Sequence, residues 1–487
     1  MTQIRSSLLW SAVKNSLVRF SGAITFIVMA RVLETEQLGI FSAVLAVLAF
    51  LEIFSDGGIS DALIQREKLN DIILNTAFAI NIVIALILVV SVWSFSDNLA
   101  FLLPMEGITE ILKFGSLALL MNAIGFVPQA LLRKNFKFKW LAIRAAWGAL
   151  ISSVFGITLV LAGFGVWSLL AQFLLMALVN VVLVWKGVDW RPSTSFSITE
   201  AKPLVKFGSN LIGAKVLDYF SNRSVEIYVV TIFGPVSLAL YVMGQRLYSL
   251  AMQVISAVTV DVYMPKFSLL KSSHEELSSC YYRAVTVTAA IGTPIFIILA
   301  ILSPEVVNIL YSHNGQGSER VAFYLSILGA IQVIQFYNGT LLNAIGRPDL
   351  TLKILLVKSI GVLTLMIFAT EVSFSDFVFF YFTVQLFIVP ASFLMVAKYS
   401  KTSLINIVKK TYPFFLASTA MAFSVTHLRD HPLLSLNNSL LSLFLLGIIS
   451  VSIYFFVLVT FFNSKANLVL KIVLGDKYYG FSQSKKK

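Results

Sequence analysis

The chain has 487 residues, of which 58% are hydrophobic and 13% charged, whereas soluble chains average about 45–50% and 25%. This composition excludes a soluble globular enzyme and predicts a polytopic membrane protein. In a soluble chain the net charge of +13 would suggest that the partner is a nucleic acid. In a membrane protein the distribution of the basic residues first indicates which side of the chain faces the cytoplasm. One cysteine, Cys280, and four histidines without metal-ligand spacing lead us to predict no disulfide framework, metal site or cofactor.

Apolar runs of spanning length predict about fourteen transmembrane helices in an all-α protein. Lys14 and Arg19 interrupt the first run, so we interpret it as a span rather than a cleavable signal peptide. In chain order the predicted spans are 8–30, 39–56, 74–96, 111–131, 142–162, 164–186, 206–230, 236–259, 284–303, 321–345, 353–370, 376–397, 411–428 and 439–462.

The basic residues between these spans alternate from side to side. With the amino terminus inside, the inner segments hold 26 Lys and Arg and the outer segments hold four. Because Lys and Arg near membrane helices are retained in the cytoplasm, both termini are predicted to be cytoplasmic. The tail, 465–487, ends in three lysines. Attraction to anionic membrane lipids is one interpretation of this tail, and a solvated stop signal is the other.

A weak internal repeat organises the spans. A shift of 200 residues aligns Val32–Phe41 with Ile232–Tyr241, and a shift of 210 aligns Pro128–Arg133 with Asn338–Asn343. Both matches pair spans one to six with spans seven to twelve, which predicts two parallel six-helix bundles around a central cavity. The predicted divisions are an amino-terminal bundle at 1–186, a cytoplasmic linker at 187–205, a second bundle at 206–400, two further helices at 401–464 and the basic tail at 465–487.

Several charged side chains fall inside the spans, where a charge needs a partner or a water-filled cavity. Spacing of three residues predicts that Lys215 pairs with Asp218 and Arg223 with Glu226. Because bases outnumber acids, we expect a hydrated cavity that binds an anion, Arg and Lys being the usual ligands of phosphate. The candidate cavity residues are Lys14, Asn15, Arg19, Lys215, Tyr219, Asn222, Arg223, Gln245 and Arg246, and the candidates for carrying a coupling ion are Glu52, Asp218 and Glu226. Ion pairing within one bundle is the alternative role for these charges.

Five segments, in order along the chain, resemble bacterial polysaccharide transporters of the Wzx flippase type, within the multidrug, oligosaccharidyl-lipid and polysaccharide exporter superfamily. They are A-R-V-L at Ala30–Leu33 with Gly39, D-G-G-I-S-D-A-L-I-Q-R at Asp56–Arg66, R-K-N-F-K-F-K-W-L-A at Arg133–Ala142, G-F-G-V-W-S-L at Gly163–Leu169, and L-L-N-A-I-G-R-P-D-L at Leu341–Leu350.

The resemblance implies transport of an undecaprenyl-pyrophosphate-linked oligosaccharide across the bacterial cytoplasmic membrane, for O-antigen, capsule or exopolysaccharide synthesis. It implies alternating access by two rocking bundles, basic residues in helices one, two, seven and eight, and a polysaccharide polymerase complex as a partner. Helix two departs from that pattern, because it offers Glu52 and no base.

Three alternatives stay open. A multidrug or small-molecule cation antiporter needs a buried acid in helix one, and that helix has none. A peptidoglycan lipid-precursor flippase would share the helices and the cationic cavity. A membrane glycosyltransferase or polymerase would need a long loop with clustered acids or histidines, and the longest outer segment, Ser303–Arg320, offers only Glu305, His313 and Glu319. We therefore predict a transporter rather than an enzyme, with no nucleic-acid partner.

Overall fold

The computed structural model describes residues 21–102, 105, 107–270, 273–400, 402–429 and 439–467. These residues form helices joined by short turns and contain no strand. Eleven helices within this part are long and apolar enough to cross a membrane. The all-α, multi-pass membrane architecture is therefore confirmed, whereas the count of fourteen spans stays a prediction.

The helices of the first half follow the predicted spans closely. α6 ends at Leu161 and α7 begins at Val166, so the break between predicted spans five and six, 142–162 and 164–186, is confirmed. The bounds are α1 Ser21–Val32, α2 Thr35–Asp56, α3 Ile59–Gln65, α4 Asp71–Leu102, α5 Ile108–Lys134, α6 Phe138–Leu161, α7 Val166–Lys186 and α8 Ile198–Leu269, where α1 is given for the described residues only.

The helices of the second half are α9 His274–Ile301, α10 Ser303–Tyr311, α11 Ser318–Gln335, α12 Asn338–Ala344, α13 Pro348–Phe368, α14 Phe374–Ser400, α15 Leu404–Arg429 and α16 Ser439–Phe461. A short 3-10 turn, Ser312–Gly315, follows α10. α15 corresponds to predicted span thirteen, although it is not apolar enough to be among the eleven candidate membrane-spanning helices.

α8 covers 72 residues and is interrupted once, at Gly234, whose φ of 81° and ψ of 178° are not helical. An unbroken helix of that length would extend about 108 Å, several times the roughly 30 Å of a hydrocarbon core. Glycine accepts the positive φ without a steric penalty. The break lies between predicted spans seven and eight, 206–230 and 236–259, in agreement with two spans rather than one.

The chain divides into two compact units, 1–239 and 240–487. In the first, α5 packs on α2, α4 and α7, and α6 packs on α7. In the second, α9 contacts α11 and α15, and α15 contacts α16. The core of the second unit contains fully buried Phe267, Tyr281, Phe296 and Tyr337.

The segment between α7 and α8 is fixed to the first unit by side chains at the start of α4. Asn75 Nδ2 donates to Ser193 Oγ at 2.6 Å and to Ser195 Oγ at 2.7 Å, and Asn75 Oδ1 accepts from the Ser193 amide at 3.0 Å. The Ser197 amide donates to Thr76 Oγ1 at 3.1 Å. These bonds hold the non-helical stretch before α8 in one conformation. The predicted domain limits, including the linker at 187–205, stay a prediction.

Candidate functional site

The candidate residues of the sequence are distributed unevenly over the described structure. Lys14, Asn15 and Arg19 lie outside the described residues, as does the side chain of Asn222. Within the first unit, α8 carries Lys215, Tyr219, Arg223 and Glu226. Gln245 and Arg246 lie on α8 in the second unit.

The stretch of α8 from Gly208 to Pro235, just beyond its break at Gly234, runs antiparallel to α2 in very close contact, and we call this contact the α2–α8 seam. A Cβ placed on Gly39 would overlap the backbone carbonyl of Pro235, and one on Gly208 would overlap the carbonyl oxygen of Gly57. The backbones therefore approach within the space that a side chain would occupy, which only glycine permits. Contacts at both ends of α2 show that the seam extends over the length of that helix.

Gly57 and Gly58 form the turn between α2 and α3, with φ values of 55° and 69°. Both values lie in the left-handed region that glycine adopts at little cost. The turn brings Asp56, the last residue of α2, and Asp61, in α3, to the same neighbour, Lys215.

Lys215 Nζ lies 2.9 Å from Asp56 Oδ2 and 3.2 Å from Asp61 Oδ2. One ammonium group thus bridges two carboxylates from separate helices across the seam. The Asp56 side chain is 16% exposed, against 42% for Asp61, so Asp56 depends more on the lysine for compensation of its charge. Sequence reasoning placed Asp56 at a span edge and missed Asp61, because the turn that brings it to Lys215 is a tertiary feature.

Arg223 and Glu226 form the ion pair that their spacing predicted, which is confirmed. Arg223 Nη1 donates to both carboxylate oxygens of Glu226, at 2.7 Å and 2.6 Å. The Glu226 side chain is only 5% exposed, whereas that of Arg223 is 48% exposed. The pair therefore neutralises a buried carboxylate and leaves part of the guanidinium accessible to a ligand.

Tyr219 lies between the two charged groups on the same helix and faces α2. Its hydroxyl donates to the Ala46 carbonyl at 2.5 Å. Its ring lies 5.3 Å from the ring of Phe50 and 5.8 Å from that of Phe220, measured between centroids. The middle of the seam is thus aromatic, and the Tyr219 hydroxyl supplies a hydrogen bond within it.

Glu52 projects from α2 and accepts a hydrogen bond from Asn122 Nδ2 of α5 at 3.0 Å. Its side chain is exposed, so this carboxylate remains accessible within the first unit. Glu52 is recognisable from the sequence as a charge within an apolar run, whereas Asn122 is not, since a neutral amide in such a run gives no distinctive signal.

In the second unit, the guanidinium group of Arg246 lies near the phenol of Tyr311. The hydroxyl of Tyr311 donates to the Met243 carbonyl at 3.3 Å. Arg246 and Gln245 are both half-buried. An arginine at this depth in an apolar helix is costly unless it faces a partner or water.

The comparison with family models identifies the family, and similar proteins agree with it. The family model described as "Polysaccharide biosynthesis protein" matches residues 28–317. The chain belongs to this family. Over 356 residues the chain is 23% identical to the lipopolysaccharide biosynthesis protein WzxC of Escherichia coli K12, with 72% of each chain covered. It is 25% identical over 290 residues to the succinoglycan biosynthesis transport protein ExoT of Rhizobium meliloti, which covers 59% of this chain and 58% of ExoT.

The fold resembles a solved structure of the lipid II flippase MurJ in an inward closed conformation. The TM-score is 0.77, and the match covers 94% of this chain and 99% of MurJ at 17% sequence identity. At that identity the likeness concerns the fold alone. The resemblance to Wzx-type transporters inferred from the sequence motifs is confirmed by the family model and the relatives.

Proposed function

We propose that this chain flips an undecaprenyl-pyrophosphate-linked oligosaccharide across the bacterial cytoplasmic membrane, for the synthesis of O-antigen, capsule or exopolysaccharide. The observation that carries the proposal is the family match over residues 28–317 in a chain with eleven candidate spans. The relatives WzxC and ExoT are named for lipopolysaccharide and succinoglycan biosynthesis. The proposed role is transport rather than catalysis.

The proposed binding residues are basic side chains within apolar stretches of the sequence. In this scheme Arg19, Lys215 and Arg246 attract the pyrophosphate, because charge-assisted hydrogen bonds to phosphate are strong at low dielectric. Arg223 contributes through its exposed guanidinium. Lys14, Asn15, Tyr219, Asn222 and Gln245 would line the rest of the cavity and hydrogen-bond sugar.

The contacts of Lys215 refine its role. A pyrophosphate must compete with Asp56 and Asp61 for the ammonium group, which both carboxylates approach within 3.2 Å. We therefore propose that Lys215 is paired with the two carboxylates before cargo binds, and that during transport it leaves them to bind the phosphate. This exchange would connect cargo binding to the α2–α8 seam.

The remaining parts of the proposal concern topology and coupling. We propose alternating access by two bundles, 1–186 and 206–400, with both termini in the cytoplasm. Glu52 and Asp218 are the candidates for carrying a coupling ion. Glu226 is a weaker candidate, because its carboxylate is already bound by Arg223. A polysaccharide polymerase complex and anionic lipids are the proposed partners.

The test is complementation of a deletion strain. Loss of the chain should cause lipid-linked oligosaccharide to accumulate on the inner leaflet and surface polysaccharide to disappear. Arg19→Ala and Arg246→Ala should reproduce that defect at normal protein levels, whereas Lys409→Ala, at an exposed base in α15, should not. Normal export in both arginine variants would contradict the proposed cavity.

The main alternative is a peptidoglycan lipid-precursor flippase. The fold shared with MurJ fits it only at the level of architecture. Viability separates the two functions, because a cell that loses its sole peptidoglycan precursor flippase cannot grow. Growth of the deletion strain without surface polysaccharide supports the proposal, and rescue of a MurJ-depleted cell would support the alternative. Cation export by the purified chain would instead indicate an antiporter.

A further inference from the structure

Two arginines lie together where α5 ends and α6 begins. Arg144 Nη1 donates to Gln129 Oε1 at 2.8 Å. Arg133 follows Gln129 by four residues on α5, so the two share one face of that helix. Arg133 is near enough to Arg144 for the two positive charges to repel each other. Among the described residues, neither arginine has a carboxylate within ion-pair distance.

Arg144 lies at the edge of the exposed face of α6. Trp147 and Ile151, three and seven residues further on, continue the same stripe and are 55% and 42% exposed. Such an apolar exposed face is expected to contact lipid. Arg144 is only six residues into the helix, about 9 Å from its start. Its Nε is buried and has no hydrogen-bond partner in the described structure, so the hydrogen-bonding capacity of this guanidinium group is only partly used by the protein.

Phe136, in the turn between α5 and α6, carries a second unusual feature. Its side chain is 76% exposed, and its φ of 55° is left-handed. At the end of a helix that conformation usually selects glycine or asparagine. The left-handed backbone is strained whatever surrounds the ring, and a ring that faced water would in addition expose apolar area at a cost. The exposure of the side chain is explained if the ring is immersed in the membrane interface.

The turn is braced in this orientation. The ammonium group of Lys134 donates to the carbonyl oxygens of Leu63, Ile64 and Arg66 at the end of α3. Trp140 Nε1 donates to the Leu183 carbonyl of α7 at 2.9 Å. The position of Phe136 is therefore set by contacts on both sides of the turn.

The level of the membrane surface is marked by neighbouring tryptophans. Trp185 and Trp190 stack with ring centroids 5.8 Å apart, and the guanidinium carbon of Arg191 lies 5.6 Å from the Trp185 ring centroid. Tryptophan and arginine are typical of the layer where lipid headgroups meet water. Trp185, in the last turn of α7, belongs to the same cluster as Trp140, and Trp190 and Arg191 follow the end of that helix.

We propose that Arg133 and Arg144 bind the phosphate of an anionic glycerophospholipid, with Gln129 orienting Arg144 and Phe136 inserted among the acyl chains beside it. The site is separate from the proposed cargo cavity and does not depend on the proposed function. Two guanidinium groups without a carboxylate suit an anionic headgroup. The exposed apolar face of α6 suits the attached acyl chains.

The test uses the full-length chain, purified in detergent and exchanged into an equimolar mixture of phosphatidylglycerol and phosphatidylcholine. Native mass spectrometry measures the ratio of the two lipids retained. The wild type should retain phosphatidylglycerol preferentially. Arg133→Gln should lower that preference about fivefold, and Arg133→Gln with Arg144→Gln roughly 25-fold, at about 1 kcal/mol for each base. The matched control, Lys409→Gln, removes an exposed base elsewhere and should leave the ratio unchanged.

Further arms make the proposal falsifiable. Phe136→Asn, which suits the left-handed backbone, should fold normally and retain less phosphatidylglycerol. Phe164→Asn, at another exposed phenylalanine in a turn, should have no effect. Millimolar inorganic phosphate should not displace the lipid, and displacement would indicate a free-phosphate site instead. Arg133 is exposed, so its replacement by glutamine should not disturb folding. The proposal is overturned if Arg133→Gln leaves the ratio of the two lipids unchanged, or lowers it only as much as Lys409→Gln does.

Discussion

Replacing Lys215 by methionine would remove the ammonium group that joins α2 and α3 to α8, while keeping a side chain of similar length. Asp56 and Asp61 would then face each other with no positive charge between them. Their nearest oxygens now lie 2.9 Å and 3.2 Å from Lys215 Nζ. We expect the α2–α8 seam to open more often in the Lys215→Met variant.

The size of the effect follows from the distances and the exposure. At about 3 Å, a pair of unit charges attracts by roughly 1.4 kcal/mol at the dielectric constant of water and by about 5.5 kcal/mol at an effective value near 20. The Lys215 side chain is 37% exposed, so desolvation and screening reduce the net contribution strongly. About 1 kcal/mol for the contact with Asp56 and less for that with Asp61 is reasonable for such exposure. The opening equilibrium should then shift by about 1–2 kcal/mol, or roughly 5- to 30-fold.

Cysteine labelling measures this opening. Cys280 is the single native cysteine, so Cys280→Ser gives a cysteine-free background for Phe50→Cys, at a position that contacts the Tyr219 ring across the seam. The maleimide labelling rate is proportional to the open fraction when opening is fast. Lys215→Met should raise the rate by about 5- to 30-fold, the factor derived above for the opening equilibrium.

The control is Lys206→Met, which removes an exposed base from the same helix and should leave the rate unaltered. Asp56→Asn should raise the rate more than Asp61→Asn, since the Asp56 carboxylate is the less exposed of the two. If Lys215→Met labels within twofold of the parent, the ion bridge does not hold the seam and the reasoning fails.

Two further predictions concern stability, measured as the thermal unfolding midpoint in detergent. Gly208→Ala places a methyl group against the carbonyl oxygen of Gly57 and should destabilise the protein by about 2 kcal/mol or more, whereas Gly213→Ala, which meets nothing within 4 Å, should be neutral or stabilising. Equal midpoints for these two variants would contradict the close backbone approach. Arg223→Ala leaves the nearly buried carboxylate of Glu226 without its partner and should lower the free energy of unfolding by about 1–3 kcal/mol. Adding Glu226→Gln should restore part of that stability. A further drop in the unfolding midpoint of the double variant would contradict the pairing.

The sequence was sufficient for features that depend on a single helix. The length of each apolar run predicts a helix, so the break between α6 and α7 and the interruption near Gly234 agree with prediction. The Arg223–Glu226 pair is equally local, because residues three apart on a helix are always neighbours. The family was also accessible, since its motifs are short and keep their order along the chain.

The tertiary structure decided the contacts between helices. Lys215 is 159 positions from Asp56, and no periodicity relates them. The seam exists because glycines let two backbones approach, and the turn at Gly57 and Gly58 then brings Asp61 to the same lysine. A charge within an apolar run indicates that a partner or water is required, but the packing of helices determines which group supplies it. The sequence therefore identified the charged residues, and the fold determined which of them meet.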